Sequence, residues 1–424
     1  MRPAAASLRR AAAGPLGSVE FVVTARRARE VASEVASHCG VDDDSRAGPA
    51  CGAARADAPA LALDLEGVRL GRFGRLCVVQ LAVGTGEPGG FSRCVLLDAL
   101  RPGVVAALAG LLESRRIVKV LHDCREDASA LLHQHGVKLR SVFDTQAANA
   151  TLDQHAGRIP RQTSSTELLR SRLGMEEPPE VPQVKVLMQS DEKVWAKRPL
   201  NATLVRYALH GVAYLLPLRL SLLKEASQLD GESQRATQRI RRPGQSQAEA
   251  MAEASESALM YRHFNEHFPS AASMAKIGTR LWAMVGARTD SGLYMKLNAG
   301  RVGLVSTPSA LSRFDDVVAG DTVYCCVSGV SFDGAYIYLD RYDHDWDYFD
   351  HQLRPTGKME VGAFGREHRH CTSAALAARA AESPIDPLLL RGLPAADRLL
   401  AGTEGLDAWE ADAEDVDDPS AGFP

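Results

Sequence analysis

Residues 60–67 read ALALDLEG, a short apolar run interrupted by Asp64 and Glu66. The alternation is that of a β-strand, where residues two apart point to the same face. Two carboxylates side by side on a half-buried strand repel each other and lose hydration. Two explanations compete. Basic neighbours such as Arg69 or Arg72, or a solvated strand end, would neutralise the acids. Alternatively, the pair holds a divalent cation, because hard oxygen donors on a rigid strand are what such an ion takes.

Around this strand, the pattern predicts a mixed α/β sheet. VEFVVT (19–24) reads as a strand, and 25–39 as a helix with apolar residues at helical spacing. RLCVVQLAVG (75–84), RCVLLDAL (93–100) and IVKVLH (117–122) read as further strands, with a helix over 102–114. REDASALLHQHG (125–136) predicts a helix ended by Gly136. Asp127 lies near its start, where the helix dipole favours an acid in any protein. It could equally face the end of the strand bearing Asp64 and Glu66. A last helix is expected over 202–224. Strands followed by alternating strands and helices describe a mixed sheet.

These segments resemble the DEDD-type 3′–5′ exonucleases, a family with a ribonuclease-H-like fold, over about residues 18–225. LALDLEG is similar to the family's Asp-x-Glu motif, KVLHDCREDASALL (119–132) to its second motif, and VFDTQAANATL to its Phe-Asp-Thr segment. VWAKRPLNATLVRYALHGVAYLLPL resembles the final helical motif, and Egalitarian-like proteins of RNA metabolism are the nearest subgroup. The resemblance implies two divalent ions, Mg²⁺ or Mn²⁺, about 4 Å apart. It gives Asp64 the bridging position, Glu66 the first ion, Asp127 the second, and Tyr207 the orientation of the attacking water. Asp144 takes a structural role. The family then has an Asp four residues after the Tyr, one helical turn on. Here that position is Gly211. His210 lies about 100° away around the helix and imidazole suits Mg²⁺ poorly. Losing one ligand implies cleavage slowed by roughly 10²–10⁴-fold. The expected function is therefore a nucleic-acid-binding exonuclease relative with impaired catalysis; the alternative is an active exoribonuclease of reduced or specialised activity.

Residues 227–262 are polar, with a Pro-Gly break, and read as a linker. From 263 to 350 short segments parted by Gly and Asp predict a small all-β barrel. Residues 277–340 resemble the OB-fold RNA-binding domain named after ribosomal protein S-one, through SGLYMKL, GRVGLV, AGDTV and YIYLD. Strand alternation places Leu293, Met295 and Leu297 inside, with Tyr294 and Lys296 outward. With Trp282 and Arg301 they form a candidate face for single-stranded nucleic acid, RNA before DNA, through stacking and phosphate pairing. The competing reading is a barrel that docks protein.

The bulk numbers agree with a globular, non-membrane chain. Of 424 residues, 45% are hydrophobic and 24% charged, and no apolar run spans a bilayer. Eight scattered cysteines without CxxC spacing signal neither a zinc site nor a disulfide framework, and a reducing, cytoplasmic or nuclear compartment is expected. Net charge is −4, yet residues 1–225 carry about six more basic than acidic side chains, and 401–424 hold eight acids and no Lys or Arg. A basic body suits a polyanion ligand. The tail 351–424 reads as disordered and acidic, suited to protein partners. Residues 1–17 form a leader; its first 15 residues, rich in Arg and Ala without an acid, resemble a mitochondrial or plastid transit peptide, or else an unstructured extension.

Overall fold

The computed structural model describes residues 18–40, 53–84, 91–232, 245–332 and 334–342. The leader 1–17 and the acidic tail 351–424 lie outside the described residues. The chain opens with β1 (Ser18–Val22) and α1 (Ala25–His38), whose first turn is capped by the Thr24 side chain. Strands β2 (Ala60–Val68), β3 (Arg75–Gly84) and β4 (Phe91–Asp98) follow. Then come α2 (Ala109–Glu113), β5 (Val118–Leu121), α3 (Arg125–His135), β6 (Val142–Asp144) and α4 (Thr145–His155). Gly136 ends α3 in the left-handed conformation at φ 68°, as its place in the sequence predicts.

The sheet order is β1-β4-β3-β2-β5-β6. β2 pairs antiparallel with β3 and parallel with β5, so it is central and buried on both faces. One face packs Leu61, Leu63 and Leu65 with residues of α1, α2 and α3. The other packs Ala62, Val78 and Ala82 under the helices that follow. Those are α5 (Ser165–Leu173), α6 (Glu180–Ser190), α7 (Ala202–Ala213) and α8 (Leu215–Glu232). This is the ribonuclease-H-like mixed sheet. The single helix expected over 202–224 is two helices, broken at Tyr214. Pro217 explains the break, since proline lacks the N–H and clashes with the preceding turn but is tolerated in a first turn.

The segment read as a linker is largely structure. α9 (Gln247–Met260) starts at a Ser246–Glu249 capping box and packs into the sheet domain, burying Met251, Ala258 and Leu259. Its Ser255 hydroxyl accepts from the Asp144 backbone N–H at 2.9 Å. The polar composition misled because only Gln247, Met251, Ser255, Ala258 and Leu259 of α9 are buried, and two of these five are polar.

After the short helix α10 (Ala271–Met274), five strands close a barrel: β7 (Arg280–Thr289), β8 (Gly292–Lys296), β9 (Val302–Val305), β10 (Thr322–Val330) and β11 (Tyr336–Arg341). Its order is β7-β8-β9-β11-β10, returning to β7, with β9 and β11 parallel and the other pairs antiparallel. A short helix, α11 (Pro308–Leu311), bridges β9 and β10. Leu293, Met295 and Leu297 are interior, and Cys325 and Cys326 are buried.

The barrel is docked on the sheet domain. Phe73, in the β2–β3 loop, packs against the barrel core. Arg72 donates to the carbonyls of Asn265, Glu266 and Phe268 at 2.7–2.8 Å. Asn298 accepts from the Ser129 hydroxyl at 2.5 Å, and its backbone N–H donates to the Tyr261 hydroxyl at 2.6 Å.

Candidate active site

Asp64 and Glu66 stand on the face of β2 turned toward α7. The register sets Asp64 opposite Gln80 and Glu66 opposite Val78, with a bulge just after Glu66. Asp127, in the first turn of α3, is 6% exposed. None of the three has an ion-pair partner among the described residues: Arg69 pairs with Glu192, and Arg72 binds the barrel segment. Neither arginine neutralises the acids.

The electrostatics follow from that isolation. Burial pushes the Asp64 carboxyl up to about 7, partly opposed by the Leu65 backbone. Burial, then the charges of Asp64 and Asp127, hold Glu66 well above the usual carboxylate range. Burial, then Asp64 and Asp123, does the same for Asp127. Tyr207, on α7, is raised by burial and by Glu66 and Asp64, and its ring centroid is 6.0 Å from that of the fully buried Trp195.

One helical turn beyond Tyr207, position 211 faces Asp64 directly. A Cβ built there would be 2.5 Å from Asp64 Oδ2. The carboxylate thus occupies the space a side chain at 211 would need. His210 does not substitute: its ring makes an edge contact with Tyr214 at 5.2 Å. The donors are of the hard-oxygen kind a divalent ion takes. Among the described residues, however, no group of three or more His, Cys, Asp or Glu side chains is placed to hold a metal ion. As arranged, the residues do not fit a two-ion centre.

Sequence reasoning missed three groups near the cleft. Gln80 is fully buried opposite Asp64, and neither end of its amide has a partner among the described residues. A polar residue within an apolar strand run was the available hint. Asp123 bonds Arg125, Gln162 and Lys296; burial opposes its ionisation, but Arg125 and Lys296 hold its carboxyl low. Glu126 accepts from the Tyr261 hydroxyl at 2.6 Å and is wedged against Gly71 (φ 134°), where a Cβ would lie 2.4 Å from Glu126 Oε2.

Asp144 caps α4. Its carboxylate accepts from the backbone N–H groups of Asp123, Cys124, Gln146 and Ala147 at 2.9–3.3 Å. It thereby fixes the loop that leads into Asp127.

The four barrel residues each have their own neighbours. Trp282 is packed between Phe264 and Tyr324, with centroids at 6.4 and 5.0 Å. Lys296, on the outer face of β8 with its side chain 30% exposed, pairs with Asp123 across the domain junction. Tyr294 meets Tyr336 edge-on at 6.3 Å, and Arg301 lies beside Gly334 in the β10–β11 loop.

Residues 41–227 match the sequence family described as 3′–5′ exonuclease. This part of the chain is thus similar to DEDD-type 3′–5′ exonuclease domains. Human piRNA biogenesis protein EXD1 is 35% identical over 175 residues, covering 39% of this chain and 32% of that protein. Ribonuclease D of Pseudomonas paraeruginosa is 33% identical over 164 residues, covering 39% and 38%. The crystal structure of Escherichia coli RNase D, an exoribonuclease involved in structured RNA processing, aligns with a TM-score of 0.38 at 22% identity, over 57% of this chain and 50% of that one. The chain spans about a third of the length of the curated relatives it matches. No helix among the described residues is long and apolar enough to cross a membrane.

A stability test follows from the lone acids. Asp64 has a folded-state pKa above its unfolded one, so ionising it costs folding energy. That cost is absent below about pH 4, grows as pH rises toward 7, and is full above it. Asp64→Asn should therefore melt about 5 °C higher than wild type at pH 8, for a gain of about 2 kcal/mol, and no higher at pH 4. Equal melting temperatures at both pH values would show that a cation or base neutralises Asp64 in solution.

Proposed function

We propose that the chain is an RNA-binding member of the exonuclease family whose cleavage is lost or strongly impaired. The observation that carries this is the bare α7 surface at Gly211, against which Asp64 Oδ2 rests. With no side chain there, the fourth carboxylate is missing and the remaining three repel one another. The acids left from a site for Mg²⁺ or Mn²⁺ are Asp64, Glu66 and Asp127, and as arranged they do not make a two-ion centre. The RNA-related relatives support RNA as the ligand.

The barrel is read as an OB fold, supported by five strands closed in the order first, second, third, fifth, fourth. Such barrels bind single-stranded nucleic acid through the second and third strands and adjoining loops. Here those are β8, β9 and the β10–β11 loop, which bring together Tyr294, Arg301 and Tyr336. Trp282 is a packing residue in this reading.

The deciding assay incubates end-labelled single-stranded RNA with the full chain in Mg²⁺, in Mn²⁺ and in EDTA, beside Asp64→Ala. Binding in EDTA with no cleavage above the Asp64→Ala level is expected. Shortening from the 3′ end that vanishes in Asp64→Ala would establish an active exoribonuclease instead, the reading favoured by the three retained acids.

A further inference from the structure

The docking of the barrel turns its candidate binding strand toward the carboxylate cleft. On β8, Tyr294 and Lys296 share the outward face, about 6.7 Å apart along the strand. The Lys296 ammonium pairs with Asp123, four residues before Asp127. That junction is held by several bonds. Tyr261 donates to Glu126, the residue beside Asp127, while accepting from the Asn298 backbone that follows β8. Ser129, half a turn beyond Asp127, donates to the Asn298 side chain. On the other wall, Arg72 ties the loop that leaves Glu66 to carbonyls at 265, 266 and 268. Both segments that carry the site's acids are therefore gripped by the same barrel-proximal stretch.

From this juxtaposition we infer that the outer face of β8 and the carboxylate cleft form one continuous track for a single strand of RNA. The inference rests on the RNA-binding reading and adds to it a direction. The interior of the strand lies on the barrel, with a base against the Tyr294–Tyr336 pair and phosphate near Arg301. Its 3′ end passes Lys296 and lies beside Asp127 and Asp64. Because the domains are clamped rather than tethered, a strand long enough to reach both gains contacts without ordering a linker.

Photo-crosslinking tests the track. The full-length chain is mixed, in EDTA, with single-stranded RNA of about twelve nucleotides, a length within the range one such barrel engages. The RNA carries 4-thiouridine either at the 3′ terminus or in mid-strand. The terminal probe should crosslink to peptides containing Asp64–Glu66 or Tyr207–Gly211. The mid-strand probe should crosslink to β8 or β11. Tyr294→Ala should weaken binding of this RNA about tenfold, as loss of one base stack does, and should leave the terminal crosslink in place on the strands still bound. Both probes mapping to one domain, or the mid-strand probe mapping to the β7–β10 face around Tyr324, would overturn the track while leaving RNA binding intact. Absence of any binding would overturn the RNA reading itself, and the track with it.

Discussion

Gly211→Asp should gain 3′–5′ nuclease activity, by about 10²-fold over wild type, in Mg²⁺ or Mn²⁺. The position already faces Asp64, and in a helix Asp costs no more than Gly. The new Cβ conflicts only with Asp64 Oδ2, the far end of a side chain that can rotate aside. Without a cation, the variant brings a fourth acid against three and should melt below wild type in EDTA. With one, the order should reverse, because a ligand at 100 times its dissociation constant stabilises by about 2.7 kcal/mol. Activity and the metal-dependent melting shift should thus appear together. A variant that shows the shift but no cleavage would place the defect in the water-orienting side of the site, around Tyr207. One that shows neither would mean the cleft has drifted beyond repair by a single residue.

Asp144→Ala should have the largest effect on stability. The carboxylate is fully buried and accepts four backbone N–H groups, two from the loop before α3 and two from the first turn of α4. Removal leaves those donors buried without partners, at about 1–3 kcal/mol each before relaxation. A net loss of about 4 kcal/mol is expected, seen as a melting temperature lowered by about 10 °C. Asp144→Asn keeps one acceptor oxygen and should lose about half as much. Equal losses for both would mean that charge, not hydrogen bonding, is what the site needs.

The acids were legible because strand alternation and helix starts have fixed geometries. Asp64 and Glu66 share a face for the same reason that Leu63 and Leu65 share the other. Gly211 stood out through its spacing from Tyr207, which only a helix makes meaningful. The barrel was legible from its turns. What stayed hidden depends on contacts between distant segments. Nothing local to Lys296 indicates Asp123 as its partner, and nothing local to Tyr261 indicates Glu126. α9 escaped because alanine and serine bury well against a sheet yet read as polar or neutral in sequence. Gln80 looked like one polar residue in a strand, and its place opposite Asp64 emerges only from the register.

The position of α9 also bears on how the chain is made. The sheet domain is complete in sequence by Glu232, but not in structure. Until Met251, Ala258 and Leu259 have been synthesised, the β6 and α4 side of its core remains open, and the Asp144 backbone N–H lacks its Ser255 acceptor. On the ribosome this domain can collapse early but cannot close early, and it must wait for a helix that leads directly into the barrel. A fragment ending at Glu232 would therefore leave an apolar seam where α9 packs, and its insolubility would say nothing about the intact protein.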